Sequence, residues 1–124
     1  MLTQPRAQNQ SQMPDPDLSS ITRLIVSYNS GQVIADCLDA IPDQPTVVID
    51  NDSKDNSAQI CRQRSNTKVI ETGTNAGFGA GVNRGFAEID TAWTLVINPD
   101  AILDASNLQR LLDCAQKYPG AGMI

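Results

Sequence analysis

The sequence predicts an α/β protein, an open and mostly parallel sheet with helices on both faces. Three observations lead there. Short apolar runs of strand length alternate with stretches whose apolar residues recur at helical spacing. The runs at 24–26, 47–49 and 95–97 are unbroken, as strands covered on both faces are. Each run also passes straight into a polar loop: Tyr28-Asn29-Ser30, Asp50-Asn51-Asp52-Ser53 and Asn98-Pro99-Asp100. In a parallel sheet every strand delivers its loop to the same carboxyl edge, where ligands bind.

Residues 1–20 are rich in Gln, Pro, Ser and Asp and hold few apolar residues. Such a segment cannot bury enough surface to offset its ordering entropy, so it reads as a disordered tail before a domain over 21–124. A first strand is expected over 22–27. A helix follows, with Val33, Ile34, Cys37, Leu38 and Ile41 on one face, until Pro42 stops it. A second strand over 46–50 leads to a short helix over 57–64, capped by Asn56 or Ser57. The third strand is 68–70, and a glycine-rich loop then opens a helix over 79–88. A fourth strand over 94–97 leads to a helix over 106–117. Leu108, Leu111, Leu112 and Ala115 share one of its faces, and Pro119-Gly120 ends it. Ala121-Gly122-Met123-Ile124 read as the opening of another strand, so the domain is expected to be part of a larger one. Apolar surface on the sheet and the last helix would then lie bare, and self-association through the uncovered sheet is expected.

The chain has 124 residues, enough for one domain with a modest core, and a formal net charge of −5. Without a basic patch to neutralise phosphates, nucleic acid is not the expected partner. The short basic cluster of Arg62, Arg64 and Lys68 reads as a solvated helix end. The absence of histidine excludes Ser-His-Asp and Cys-His catalysis. Cys37, Cys61 and Cys114 form no CxxC pair, which argues against zinc and reads as reduced thiols in a cytoplasmic protein. No apolar run approaches the ~20 residues that span a bilayer, so no integral membrane segment is expected.

Carboxylate- and amide-bearing loops gathered on one edge point to a phosphorylated ligand and a hard divalent metal. Each loop taken alone has a plainer reading. Asp50 and Asn51 could face a base or ribose, or simply form a turn. The glycines of Asn75-Ala76-Gly77-Phe78-Gly79-Ala80-Gly81-Val82-Asn83-Arg84-Gly85 fail the GxGxxG spacing. At a helix start they could still admit a phosphate to the backbone N–H groups, or serve tight helix–sheet packing. Asp100 could ligate Mg²⁺ or Mn²⁺ if a diphosphate supplied further oxygens, or close a helix-preceding turn.

The order and spacing of these loops carry more than any one of them. Ile25-Val26-Ser27-Tyr28-Asn29, then Val48-Ile49-Asp50-Asn51-Asp52-Ser53-Lys54-Asp55, then Asn75-x-Gly77-Phe78-x-x-Gly81-x-Asn83-x-Gly85, then Val96-Ile97-Asn98-Pro99-Asp100 resemble glycosyltransferase family 2. The similarity is to its rhamnosyltransferase-like branch and runs from about 21 to 124, the N-terminal part of the family's catalytic domain. It implies a Rossmann-like GT-A fold and inverting transfer from a nucleotide-diphosphate sugar, dTDP-rhamnose or a UDP-sugar, with Mg²⁺ or Mn²⁺. It places the reaction in cell-surface polysaccharide synthesis on the cytoplasmic side of a membrane, with a peripheral membrane association. By the same resemblance Ser27, Tyr28 and Asn29 line the nucleotide pocket, and Asp50 and Asn51 meet the base and ribose. Gly77, Phe78, Gly81 and Asn83 lie near the diphosphate, and Asn98-Pro99-Asp100 stands where the family carries Asp-x-Asp, with Asp100 on the metal. Arg84 stands on the other side of Asn83 from the family's usual arginine. The acceptor half and the general base lie downstream in the family, so no catalytic residue is expected here. Asp90, Asp104 and Asp113 are assigned to helix ends and solvent. The 124 residues are then inactive alone, and the alternative is a non-catalytic remnant that binds nucleotide or a partner.

Overall fold

The computed structural model describes residues 1–3 and 17–124. Its strands are β1 (Leu2–Thr3), β2 (Ile21–Ser27), β3 (Thr46–Asp50), β4 (Thr67–Glu71) and β5 (Trp93–Val96). Its helices are α1 (Ile34–Asp39), α2 (Ser57–Arg62), α3 (Phe78–Phe86) and α4 (Ala105–Lys117), and a 3-10 turn at Leu18–Ser20 leads into β2. The five strands form one sheet in the order β1-β5-β2-β3-β4. β2 is parallel to β3 and β5, β3 is parallel to β4, and only β1 runs antiparallel, against β5.

The apolar strands are covered on both faces. Ile25 and Val48 pack against Ile34, Cys37 and Leu38 of α1 and Cys61 of α2. Ile21, Trp93 and Leu95 pack against Leu108, Leu112 and Ala115 of α4. On the other face Leu24, Val47, Ile49 and Val96 meet Val82 and Phe86 of α3. A chain that steps one way from β2 to β4 and then crosses back to β5 with right-handed connections must put its helices on opposite faces. Buried Arg23 on β2 closes the end of α1, donating from its guanidinium to the Cys37 carbonyl at 3.1 Å and to Thr46 Oγ1 at 2.9 Å. A cation suits that helix end because the last carbonyls lack intrahelical partners.

Both ends of the expected tail are ordered structure. Leu2 and Thr3 pair with Leu95 and Thr94, and Leu2 is 0% exposed beneath α4. Two residues are too few to show a period, and it is the open edge of β5 that makes them a strand. Asp17 caps the 3-10 turn by accepting from the Ser19 N–H at 2.9 Å. The remainder of that expectation, 4–16, lies outside the described residues. The strand expected from 121 onward appears as a bridge between Met123 and Thr3, with Ile124 N donating to the Leu2 carbonyl at 2.9 Å. Helix α4 does not leave its apolar face bare. Leu108 and Leu112 are fully buried because Leu2, Ile21 and Trp93 fill the space beneath them.

Candidate functional site

β2 lies between β3, to which the chain moves next, and β5, to which it returns last. That reversal is the switch point at which open α/β sheets bind ligands beyond the strand ends. The register shapes a crevice there. Ser27 is level with Asp50, whereas β5 ends at Val96 opposite Leu24. β5 therefore stops three residues short of β2 and β3, leaving a step of roughly 10 Å at ~3.3 Å per residue.

Asp50 forms the floor on the β3 side. Its carboxylate is 2% exposed, and Oδ2 accepts from the Ser53 N–H at 3.0 Å. Among the described residues Oδ1 has no hydrogen-bond partner, and neither has the buried hydroxyl of Ser27, its register partner on β2. A buried carboxylate oxygen without a donor costs free energy unless something supplies one. Tyr28, the next residue after β2, is half-exposed.

The loop after β2 is laced to the loop after β3. Asn29 N donates to Ser53 Oγ at 2.9 Å, and Lys54 N donates to Asn29 Oδ1 at 2.8 Å. Asn29 sits at φ 49°, a left-handed conformation that Asn tolerates through such local bonds. Its amide oxygen therefore braces the loop. Asn51 is braced similarly: it is 3% exposed, donates to the Gly77 carbonyl at 3.1 Å, and accepts from Thr72 Oγ1 at 3.4 Å. Thus Asn51 ties the end of β3 to the start of α3.

Gly77, at φ 96°, is the N-cap of α3, and no side chain caps that helix end. The first N–H groups of α3 are open to an anion, which the helix dipole favours by about 0.3–1 kcal/mol. Phe78 is exposed beside them. Gly81 and Gly85 serve packing: a Cβ at Gly81 would stand 2.7 Å from Val26 Cγ1, and one at Gly85 would overlap Leu24 Cδ1. Asn83 is exposed, off the Gly81–Gly85 row that faces the sheet. Arg84 pairs with Glu88 at 2.7 Å. Lys68, 2.6 Å from Glu88, and then Arg84 hold the Glu88 carboxyl down at about 2.

Across the step, Asn98 and Asp100 are exposed on the loop after β5. Among the described residues no group of three His, Cys, Asp or Glu side chains could hold a metal by itself. A single open carboxylate fits Mg²⁺ or Mn²⁺ when phosphate oxygens and water complete the shell. The structure thus brings Ser27, Asn29, Asp50, Asn51 and Gly77 into one connected wall, with Asp100 on the opposite side of the step. The late carboxylates lie where expected. Asp104 caps α4, accepting from Asn107 N at 2.8 Å, Asp113 Oδ1 accepts from Gln109 at 3.1 Å, and Asp90 is exposed. Arg62 and Arg64 pair with Glu71 and Asp39, so the basic cluster is taken up in surface ion pairs. Ser53, Asp55, Ser57, Thr72 and Asn75 are the bracing residues that composition did not single out. The signal available was the density of Asp, Asn and Ser after β3, since these side chains bond nearby backbone.

A mostly parallel sheet with this switch point and a buried carboxylate at its strand ends defines an open α/β domain of the doubly wound kind. The profile of Glycosyl transferase family 2 matches residues 23–124, and the chain belongs to that family. It is similar to the N-acetylglucosaminyl-diphospho-decaprenol L-rhamnosyltransferases of two Mycobacterium tuberculosis strains, CDC 1551 / Oshkosh and ATCC 25618 / H37Rv. Identity to each is 32% over 90 residues, covering 63% of this chain and 29% of theirs. The chain thus spans less than a third of the length of these relatives. Its fold is that of S. aureus TarS 1-349, with a TM-score of 0.69, 23% identity, and coverage of 80% of this chain and 33% of that one. TarS 1-349 in complex with UDP gives a TM-score of 0.68 at 22% identity, covering 80% of this chain and 32% of the other. The sheet is accordingly a partial GT-A domain, Rossmann-like as the sequence predicted. No helix among the described residues is long and apolar enough to cross a membrane.

Proposed function

We propose that this chain forms the donor-binding half of an inverting glycosyltransferase, and that its ligand is a nucleotide-diphosphate sugar. The observation that carries this reading is the buried Asp50 carboxylate, whose Oδ1 lacks a donor at the switch point. A pyrimidine N–H or a ribose hydroxyl would satisfy it, with the Ser27 hydroxyl beside it. Tyr28 would flank the base, and Gly77, Phe78 and the open N–H groups of α3 would approach the diphosphate. Asn29 and Asn51 serve the pocket by bracing its walls. A Mg²⁺ or Mn²⁺ ion on Asp100, beside Asn98, would neutralise charge on the leaving diphosphate. The UDP bound by TarS supports a uridine donor, and the similarity to rhamnosyltransferases supports dTDP-rhamnose.

An inverting transfer needs a base to take the acceptor proton, a contribution of typically 10²–10⁴-fold. The late carboxylates here cap a helix or face solvent, so the base and the acceptor site would belong to the rest of a longer enzyme. The free thiols of Cys37, Cys61 and Cys114 fit the cytoplasmic side of a membrane, where polysaccharide precursors would be extended. Titration calorimetry of UDP and dTDP into the purified chain, with and without Mn²⁺, tests the reading. Binding strengthened by Mn²⁺ is expected, without sugar turnover. A folded chain that binds neither nucleotide overturns it.

A further inference from the structure

The structure assigns a positioning role to Asp55: with Ser53 and Ser57 it clamps the backbone of the loop after β2 and so sets affinity for the nucleoside end of the donor. This rests on the donor-binding reading above. Three successive backbone N–H groups of that loop each donate to a side chain from the loop after β3 or from the first residue of α2. Asn29 N reaches Ser53 Oγ at 2.9 Å, Ser30 N reaches Ser57 Oγ at 2.8 Å, and Gly31 N reaches Asp55 Oδ2 at 2.9 Å. The partners are 24 to 27 residues apart in sequence.

Asp55 organises the set. Its second oxygen, Oδ1, accepts from both the backbone N–H of Ser57, at 3.0 Å, and the Ser57 hydroxyl. With its proton turned to Asp55, the Ser57 oxygen presents a lone pair to Ser30 N. One carboxylate thereby fixes Gly31 directly and Ser30 through the serine. The approach is close: a Cβ at Gly31 would overlap Asn56 Oδ1 and stand 2.9 Å from Asp55 Oδ2. Asn29 Oδ1, accepting from Lys54 N at 2.8 Å, adds one further tie between the two loops, while Val33, the N-cap of α1, offers no side-chain bond.

The clamp lies outside the apolar core. Asp55 is exposed, Ser53 partly so and Ser57 fully buried, and none of the three clamp side chains belongs to the hydrophobic clusters that hold the sheet. What it holds in place is Tyr28 and the mouth above Ser27 and Asp50. Its loss should therefore register in ligand affinity and local opening before it registers in global stability.

The test compares the full chain with Asp55→Ala and Asp55→Asn. In Asp55→Ala, amide exchange at 29–31 should quicken and nucleotide affinity fall, each about tenfold, the scale of one lost charge-assisted hydrogen bond. The melting temperature should fall by no more than a few degrees, the scale of one lost helix cap, and the fold-change on adding Mn²⁺ should stay near wild type. Asp55→Asn keeps one acceptor oxygen and should recover part of both losses. Unchanged exchange at 29–31, wild-type affinity in Asp55→Ala, or a loss that simply follows a fall in melting temperature overturns the proposal. If the wild-type chain binds neither UDP nor dTDP, the donor reading fails and the affinity claim with it, while exchange at 29–31 still decides the clamp.

Discussion

The two sides of the strand-end crevice are built differently. On the β2–β3 side, buried side chains and two loops are cross-braced by hydrogen bonds from Asn29, Asn51, Ser53, Asp55 and Ser57. On the β5 side, Asn98 and Asp100 are exposed on a loop held chiefly by its backbone, with Ala101 N donating to the Asn98 carbonyl at 3.1 Å. The contrast follows the chemistry each side would meet. A base and ribose are rigid and neutral, so a preformed wall binds them without a further ordering cost. A metal with a diphosphate brings its own charge and oxygen ligands, so the protein need only present a carboxylate. The difference teaches that one wall is fixed by its own hydrogen bonds, whereas the facing loop leaves its polar side chains open to solvent.

The largest expected effect falls on the braced side. Asp50→Asn keeps an uncharged acceptor for Ser53 N but puts an amide donor where the orphaned carboxylate oxygen stood. Nucleotide affinity should fall by about 10- to 100-fold, the range for a lost hydrogen bond to a charged group. Calorimetry with and without Mn²⁺ should show the same loss. A loss seen only with Mn²⁺ would place the phosphates, not the base, on Asp50.

A pair of glycines on α3 marks the border between the two sides. Gly85→Ala forces a methyl onto Leu24 and should cost about 1–3 kcal/mol in urea unfolding. Gly79→Ala meets nothing within 4 Å and should stabilise by up to ~1 kcal/mol through helix propensity. If Gly79→Ala weakens nucleotide binding while stabilising the fold, the open end of α3 is a ligand surface. On the exposed side, Asp100→Ala should remove the Mn²⁺ dependence, a change of about tenfold or less for one carboxylate sharing the ion with phosphates. Metal-free binding should be unchanged.

Much of this was legible because it depends on local pattern. The four parallel strands and four helices follow from apolar periodicity, and β3 falls on its expected bounds of 46–50. The strand-end loops follow from topology. What escaped the sequence depends on contacts distant along the chain. Leu2 became core because β5 offers an edge, a partnership that nothing within the first twenty residues reveals. The resemblance put Asn29 and Asn51 at the nucleotide pocket, and the bonds of their amides to other loops depend on contacts far along the chain. For Gly81 the sequence left phosphate approach and helix–sheet packing both open, and the space its missing Cβ leaves is taken by Val26. Amides and glycines serve binding and packing with the same atoms, so only the neighbours decide.

The smallest expected effect concerns Arg84, which the structure assigns to Glu88 and not to phosphate. Lys68 and Arg84 lower the Glu88 pKa from 4.5 to about 2, so the folded state binds this proton less readily than the unfolded chain. The ion pairs therefore contribute fully above pH 4.5, and their contribution is lost as the pH falls from 4.5 towards 2. The pairs lie at the surface with Glu88 partly exposed and its cationic partners more so, so the contribution is small and screened by salt. Glu88→Gln should flatten the pH dependence of melting in that window, and added NaCl should do the same to wild type. Arg84→Ala should reduce the same slope while leaving nucleotide affinity at pH 7 unchanged. If it weakens binding instead, Arg84 leaves Glu88 for the diphosphate when the ligand arrives, and the α3 side of the crevice is less preformed than its ion pairs imply.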